Sequence, residues 1–167
     1  WSALPEQLFE LHSDQLKREP AFRLLTTDGT KLANTILVNT RDLIESQSRR
    51  EASPENMRLI EQMAKFQQTF TAMFSSLRAY AITRNSNFKR EYNISQIANL
   101  SSWQSINGQR ALLTVEQQAK VGIIAQNHQD FLARIPNQMF QLAESEHWRE
   151  DVYLFRTEAM PLALKME

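Results

Sequence analysis

Apolar residues recur along this chain at intervals of three and four, the spacing that lines one face of a helix, and four stretches carry the pattern. In the first, Leu4, Leu8, Leu11 and Leu16 fall on one face behind Ser2, a suitable N-cap, and Pro20 is expected to limit the helix. The Asp28-Gly29 step that follows predicts a turn. Leu32, Ile36, Leu37, Leu43 and Ile44 then mark a second helix that fades into a polar loop over residues 46–53.

The third stretch has the clearest start. Ser53 suits an N-cap, Pro54 the first helical position, and Glu55 the electropositive first turn. Met57, Ile60, Met63, Phe66, Phe70, Met73, Leu77 and Tyr80 follow as one long stripe, read as core. At Thr83-Arg84-Asn85-Ser86-Asn87 the stripe is interrupted, and a kink or break is expected. Phe88, Tyr92, Ile97, Leu100, Trp103 and Ile106 resume it, and Asn107-Gly108 supplies a stop. Unbroken, residues 54–107 would run about 80 Å at 1.5 Å per residue.

The fourth stretch opens on Thr114-Val115-Glu116-Gln117, a capping-box sequence. Ile124, Phe131, Leu132, Ile135, Met139 and Leu142 continue it, with Pro136 expected to kink or break the helix. Beyond lies a heptad-like seam, Trp148, Val152, Phe155, Ala159, Leu162 and Met166, which serves either a core or a dimer contact. The predicted fold is all-α: one elongated up-and-down, four-helix-bundle-like domain over residues 1–167, kinked or broken near 84–87 and 136.

Composition agrees with long elements and few turns, since the 167 residues include three Gly and five Pro. Nineteen basic residues balance nineteen acidic ones, which removes the footprint of a nucleic-acid binder or of a basic helix on a membrane surface. Without Cys there are no disulfides and no thiolate nucleophile. No apolar run approaches the ~20 residues that cross a bilayer, and no signal peptide is evident. Starting at Trp1 and ending at Met166-Glu167 within a helical pattern, the chain reads as a segment cut from a longer protein.

The sequence carries few groups arranged for chemistry. His12, His128 and His147 form no recognised ligand set; His147, near Glu144, Glu146, Glu150 and Asp151, reads as a solvated helix face. Three Gly leave no phosphate cradle, and one Glu-x-x-His is half of a di-iron pattern. No catalytic residue, metal or cofactor is expected. The interruption is the exception: Arg78, Arg84, Lys89 and Arg90 surround it, with Tyr80, Tyr92 and Trp103 as walls of an apolar pocket. If Asn85 or Ser86 caps a new helix, its free N–H groups and the nearby guanidinium groups suit a small anionic ligand, a carboxylate or phosphate. Alternatively the cations satisfy the helix C-terminus and pair with Glu91.

The same stretch, LRAYAITRNSNFKREY, resembles the signature of the CHASE type-three sensory domains. There an Arg-Gly-Tyr-Leu-Leu-Thr-Gly-Asp segment precedes a Phe-containing turn and a Glu-x-x-Tyr or similar helix start. Leu77, Arg78, Tyr80, Thr83, Phe88 and Tyr92 match in kind and order, while Ala79 replaces Gly, Ile82 a Leu and Arg84-Asn85 the Gly-Asp. The likeness covers Ser75 to Tyr92, and the first 50 residues have no counterpart. It implies a periplasmic helical sensor of a bacterial inner-membrane receptor, set between two transmembrane helices outside this segment. Such receptors are histidine kinases of two-component systems, chemoreceptors and nucleotide or diguanylate cyclases. The resemblance further implies a homodimer in the full-length receptor, with any catalysis in a separate cytoplasmic effector. The alternative is a soluble helical protein-interaction module, which explains the periodicity and neutral charge equally well.

Overall fold

The structure, a computed structural model, describes residues 3–165. Its helices are α1 (Leu4–Ser13), α2 (Gln15–Arg18), α3 (Pro20–Leu24), α4 (Thr30–Ser48), α5 (Pro54–Thr83), α6 (Ser86–Gly108), α7 (Val115–Glu144), α8 (Glu150–Leu154) and α9 (Met160–Leu164). Single π turns at Leu25–Gly29 and Phe155–Ala159 join α3 to α4 and α8 to α9, and short 3-10 turns occupy Arg110–Leu112 and Glu146–Trp148. The described residues are all-α, without a strand.

Four long rods form the bundle: α3 running into α4, then α5, α6 and α7. The strongest signals in the chain set their limits. Ser53 Oγ accepts from the Asn56 N–H at 3.1 Å to start α5, and Thr114 and Gln117 exchange side-chain and backbone bonds in a capping box that starts α7. On α5 the buried apolar positions are Leu59, Met63, Phe66, Phe70, Met73, Leu77 and Tyr80, alternating by four and three as in a coiled coil, with Ser76 buried beside them. Met57, placed on this stripe by its spacing, is exposed instead; Leu59, two residues on and four before Met63, takes the inward position.

At residues 84–85 the chain folds back, so that Asn99 and Trp103 of α6 lie against Phe66 of α5. Arg84 ends α5 in the left-handed region, φ 55°, with its N–H on the Tyr80 carbonyl at 2.7 Å. Asn85 then caps α6 through the Asn87 N–H at 2.9 Å. The inward face of α6 departs from the predicted stripe. Tyr92 and Ile106 are buried, but Ile97 is 72 % exposed and Leu100 also faces out, while Asn99 and Ser102 take the core positions. A heptad step from Tyr92 lands on Asn99 and then Ile106, and Asn99 is admitted because its polar atoms are all bonded, as described below.

Three other expectations are corrected. The Asp28-Gly29 step makes no turn. Gly29 is helical, φ −60°, buried, and faces Phe74 and Ile135, and the Thr30 N–H and hydroxyl both reach the Leu25 carbonyl across the π turn. Pro20 does not end the first helix; breaks come at Asp14, whose carboxylate caps α2, and at Glu19, and Pro20 starts α3. Of the kink or break expected at Pro136, the break is absent, since α7 runs through it. The trace it leaves is a slip in phase: buried positions step 128, 131, 135, then Pro136 itself, and then 139, 143. The Ser2 cap and the Met166 end of the final seam lie outside the described residues. Within them that seam is segmented, with Ala159 buried but Phe155 and Leu162 exposed.

The loop end of the bundle is closed by a polar layer centred on two buried glutamines. Gln117 Nε2 donates to Gln47 Oε1 at 2.9 Å and Gln47 Nε2 donates to Asn56 Oδ1 at 3.0 Å, while at the exposed edge Arg50 donates to the Leu112 carbonyl at 2.7 Å. At the opposite end, near the 84–85 reversal, α1 and α8 pack antiparallel outside the bundle. His12 Nδ1 meets Asp151 Oδ2 at 3.2 Å, and Leu8 and Phe9 face Val152 and Phe155 across an apolar groove.

Because Gly29 needs no left-handed conformation and an added Cβ would find only ordinary contacts, the nearest at 3.4 Å, Gly29→Ala is expected to stabilise the fold by roughly 0.5–1 kcal/mol. Gly29→Leu is expected to cost about 1–3 kcal/mol by overpacking. Urea midpoints of the two variants check this; a loss of stability in Gly29→Ala would contradict the helical reading of the segment.

Candidate functional site

Helices α6 and α7 run antiparallel, yet their backbones come close along almost none of their length. Long side chains span the gap. At one end Lys89 Nζ donates to Glu144 Oε1 at 2.6 Å, and the Tyr80 hydroxyl donates to the same oxygen at 2.9 Å. At the other end the His128 Nε2–H donates to Asn99 Oδ1 at 2.7 Å. Between these two bridges lies a cleft of about 460 Å³, within the range of small-molecule sites.

Its floor is Phe140, which meets the rings of Tyr92 and Tyr80 edge-on at 5.7 and 5.2 Å and carries the Lys89 ammonium 4.6 Å above its face. Leu132 and Pro136 continue the apolar side. Pro136 has no N–H, so the Leu132 carbonyl lacks its usual helical donor there. The rim is made of amides, Asn93 and Gln96 from α6 and Asn137 and Gln141 from α7. Tyr92 is 3 % exposed, and its hydroxyl has no hydrogen-bond partner among the described residues.

The electrostatics follow from these contacts. The hydrogen bonds from Lys89 and then Tyr80 hold the Glu144 carboxyl below the usual carboxylate range. Burial, reinforced by the bond to Glu144, raises the Tyr80 phenol, and burial alone raises Tyr92. Both tyrosines stay neutral donors at any ordinary pH. Burial also lowers the His128 imidazole to about 4, so the Asn99–His128 bridge is a neutral one. Asn99 is fully bonded there, with Nδ2 donating to the Phe66 carbonyl and to Thr69 Oγ1, each at 3.0 Å.

Of the side chains singled out around the interruption, the fold brings Lys89 and Tyr92 into the cleft wall, sets Tyr80 behind it against Phe140 and Glu144, and leaves Arg84 just outside it. The Arg84 guanidinium lies 4.5 Å above the Trp148 ring, in the turn that follows α7. Arg78 is exposed on α5, and Arg90 turns away to bond Asn87 within its own helix. Trp103 lies beyond the Asn99 end, against Phe66 at 5.3 Å and His128 at 5.7 Å. Lys89 pairs with Glu144 and not with Glu91, which is exposed. Reading the sequence missed Glu144, Phe140, Asn137 and Gln141. Their spacing, 137, 140, 141 and 144, marks one face of α7 and was the available signal. His147 meets Glu150 at 3.1 Å on an exposed turn, and no group of His, Asp and Glu among the described residues has the arrangement of a metal site.

Compared with known proteins, the chain matches no family model, no curated protein and no solved structure. No helix among the described residues is long and apolar enough to cross a membrane.

His128 makes the bridge testable by pH. Its folded pKa lies below the unfolded 6.5, so as pH falls the unfolded chain takes up the proton first. Stability is expected to be full above pH 6.5 and to decline down to about pH 4, by at most ~3 kcal/mol from this group. His128→Gln retains a donor for Asn99 and does not titrate. The difference between wild-type and variant urea curves should therefore shrink from pH 7 to pH 4.5; a constant difference would mean that His128 is not held neutral.

Proposed function

We propose that the chain is the sensory ectodomain of a bacterial transmembrane receptor, which reads occupancy of the α6–α7 cleft and relays it through its terminal helices. The observation that carries the reading is the path out of the cleft. Glu144, at its mouth, is the last residue of α7, and Trp148, four residues on, is stacked by Arg84. The chain then enters α8, which pairs with α1. The first helix and the helix that follows the cleft thus meet side by side at the end of the bundle that holds it. A ligand that prefers one spacing of α6 and α7 biases the α1–α8 pair by its difference in affinity for the two arrangements.

The likeness of residues 75–92 to CHASE type-three domains supports the same reading, and with it a periplasmic location, homodimerisation in the full-length receptor and a separate cytoplasmic effector. A second reading, a helical interaction module, draws support from Ile94 and Ile97 on the outward face of α6, 63 % and 72 % exposed. Hydropathy of the parent protein over about 60 residues on either side separates the two. Two spans of about 20 apolar residues are expected; polar flanks would remove the receptor reading and leave the interaction module.

Arg84 tests the relay. A non-Gly residue at φ 55° costs about 1–3 kcal/mol, which Arg84→Gly relieves while losing the stack on Trp148. Global stability is expected to stay within about 1 kcal/mol of wild type, and amide exchange over residues 146–155 to quicken. Unchanged exchange there would take Arg84 out of the relay.

A further inference from the structure

We infer that the α6–α7 cleft takes a small zwitterion, an α-amino acid with an uncharged side chain, whose carboxylate is received by Lys89 and whose ammonium is received by Glu144. The inference rests on reading the cleft as the sensed site and adds the class of ligand.

Two opposite charges stand at the mouth of the cleft. Lys89 and Glu144 stand 2.6 Å apart and are 40 % and 47 % exposed, an ion pair of the kind that contributes little to folding. Exchanging partners is therefore cheap for the protein. An anion bound to Lys89 alone would leave the Glu144 carboxylate beside it without a cation. A cation bound to Glu144 alone would strand the Lys89 ammonium over Phe140. A neutral ligand gains nothing from either. Only a ligand that carries both charges close together keeps every charge paired, and an ammonium and a carboxylate on one carbon have that spacing. Tyr80 remains as a neutral donor to Glu144 and fixes its orientation during the exchange.

What lies beyond the mouth fits the rest of such a molecule. Phe140, Pro136 and Leu132 offer an apolar surface to a side chain. The rim amides make no hydrogen bond to protein among the described residues and present both donors and acceptors. Among the described residues no further charged group lines the cleft, so a charged side chain would find no partner there. The Tyr92 hydroxyl, buried and unpartnered behind the floor, marks the site as incompletely satisfied in this arrangement. A small approach of α6 to α7 around a ligand brings acceptors toward it, which couples occupancy to helix spacing.

The experiment is a thermal-shift screen of this chain against the twenty L-amino acids, followed by the N-acetyl and C-amide derivatives of whichever raises Tm most. At about tenfold excess over Kd, an upward shift of roughly 3 °C or more is expected for at least one uncharged amino acid. Both derivatives should lose the shift, as should Lys89→Met and Glu144→Gln, whose exposed positions leave the circular dichroism of the fold unchanged. The inference is overturned if no amino acid shifts Tm, if the N-acetyl form acts as well as the free amino acid, or if both variants keep the response. A Lys89-dependent shift from acetate, or a shift from glycerol, would likewise overturn the zwitterion while retaining the cleft as the sensed site. The hydropathy of the flanks judges the receptor reading independently.

Discussion

The hydrogen bond between His128 and Asn99 decides what this bundle can be. Helix α6 is bound to α5 along most of its length by their hairpin, but to α7 it is joined only at intervals. A polar pair fully buried among Phe66, Phe70 and Trp103 has a narrow geometry, because each unmet donor or acceptor there would carry its full desolvation cost. Leucines at the same two positions would let α6 and α7 collapse onto each other. With Asn and His the helices are held at the span of two side chains, and the opening between them persists as far as the Lys89–Glu144 bridge. The cleft is thus a consequence of a polar core layer, with one rigid end and one labile end.

That asymmetry gives the domain a direction. The buried, neutral His128–Asn99 bridge is tied through Asn99 to the α5 backbone and is indifferent to solutes. The exposed, charged bridge is open to exchange, and it sits beside the Arg84–Trp148 stack and the buried Asp151, where α8 meets α1. Burial alone would raise the Asp151 pKa, and the hydrogen bonds from Arg149 and His12 more than offset it and keep it low. The joint therefore holds a carboxylate whose partners come from both chain ends. Changes at the charged bridge reach this joint over a few residues, whereas the loop end of the bundle is locked by the Gln47–Gln117 layer.

Much of the fold was legible because the signals were local. Ser53-Pro54 and Thr114 with Gln117 start helices for reasons contained within four residues, and the α5 stripe keeps its period for seven buried positions. What was not legible depended on tertiary context. Asp28-Gly29 looks like a turn until Phe74 and Ile135 pack over it. Ile97 and Leu100 look like core until Asn99 finds His128, Phe66 and Thr69 from two other helices. The site was half readable. Tyr80, Lys89 and Tyr92 cluster in sequence and announce themselves, but their partners Phe140 and Glu144 lie about fifty residues away on a helix whose face reads as ordinary solvated surface. Periodicity identifies which residues share a face; it does not say which face of another helix will meet them.

The two π turns bear on how such a rod can move. Leu25–Gly29 and Phe155–Ala159 each hold one residue more than an α turn would, the first inside the α3–α4 rod of the bundle and the second between α8 and α9. A helix with such a surplus can hand it from one turn to the next, as a wrinkle travels along a carpet. Passage of one residue displaces what lies beyond by about 1.5 Å along the axis and turns it by about 100°. At each instant only one or two hydrogen bonds are exchanged. The Leu25–Gly29 surplus is pinned in the core by Phe74 and Ile135, whereas the mostly exposed run from Phe155 onward carries its surplus as slack, and a ratchet of that step size there needs no hinge loop.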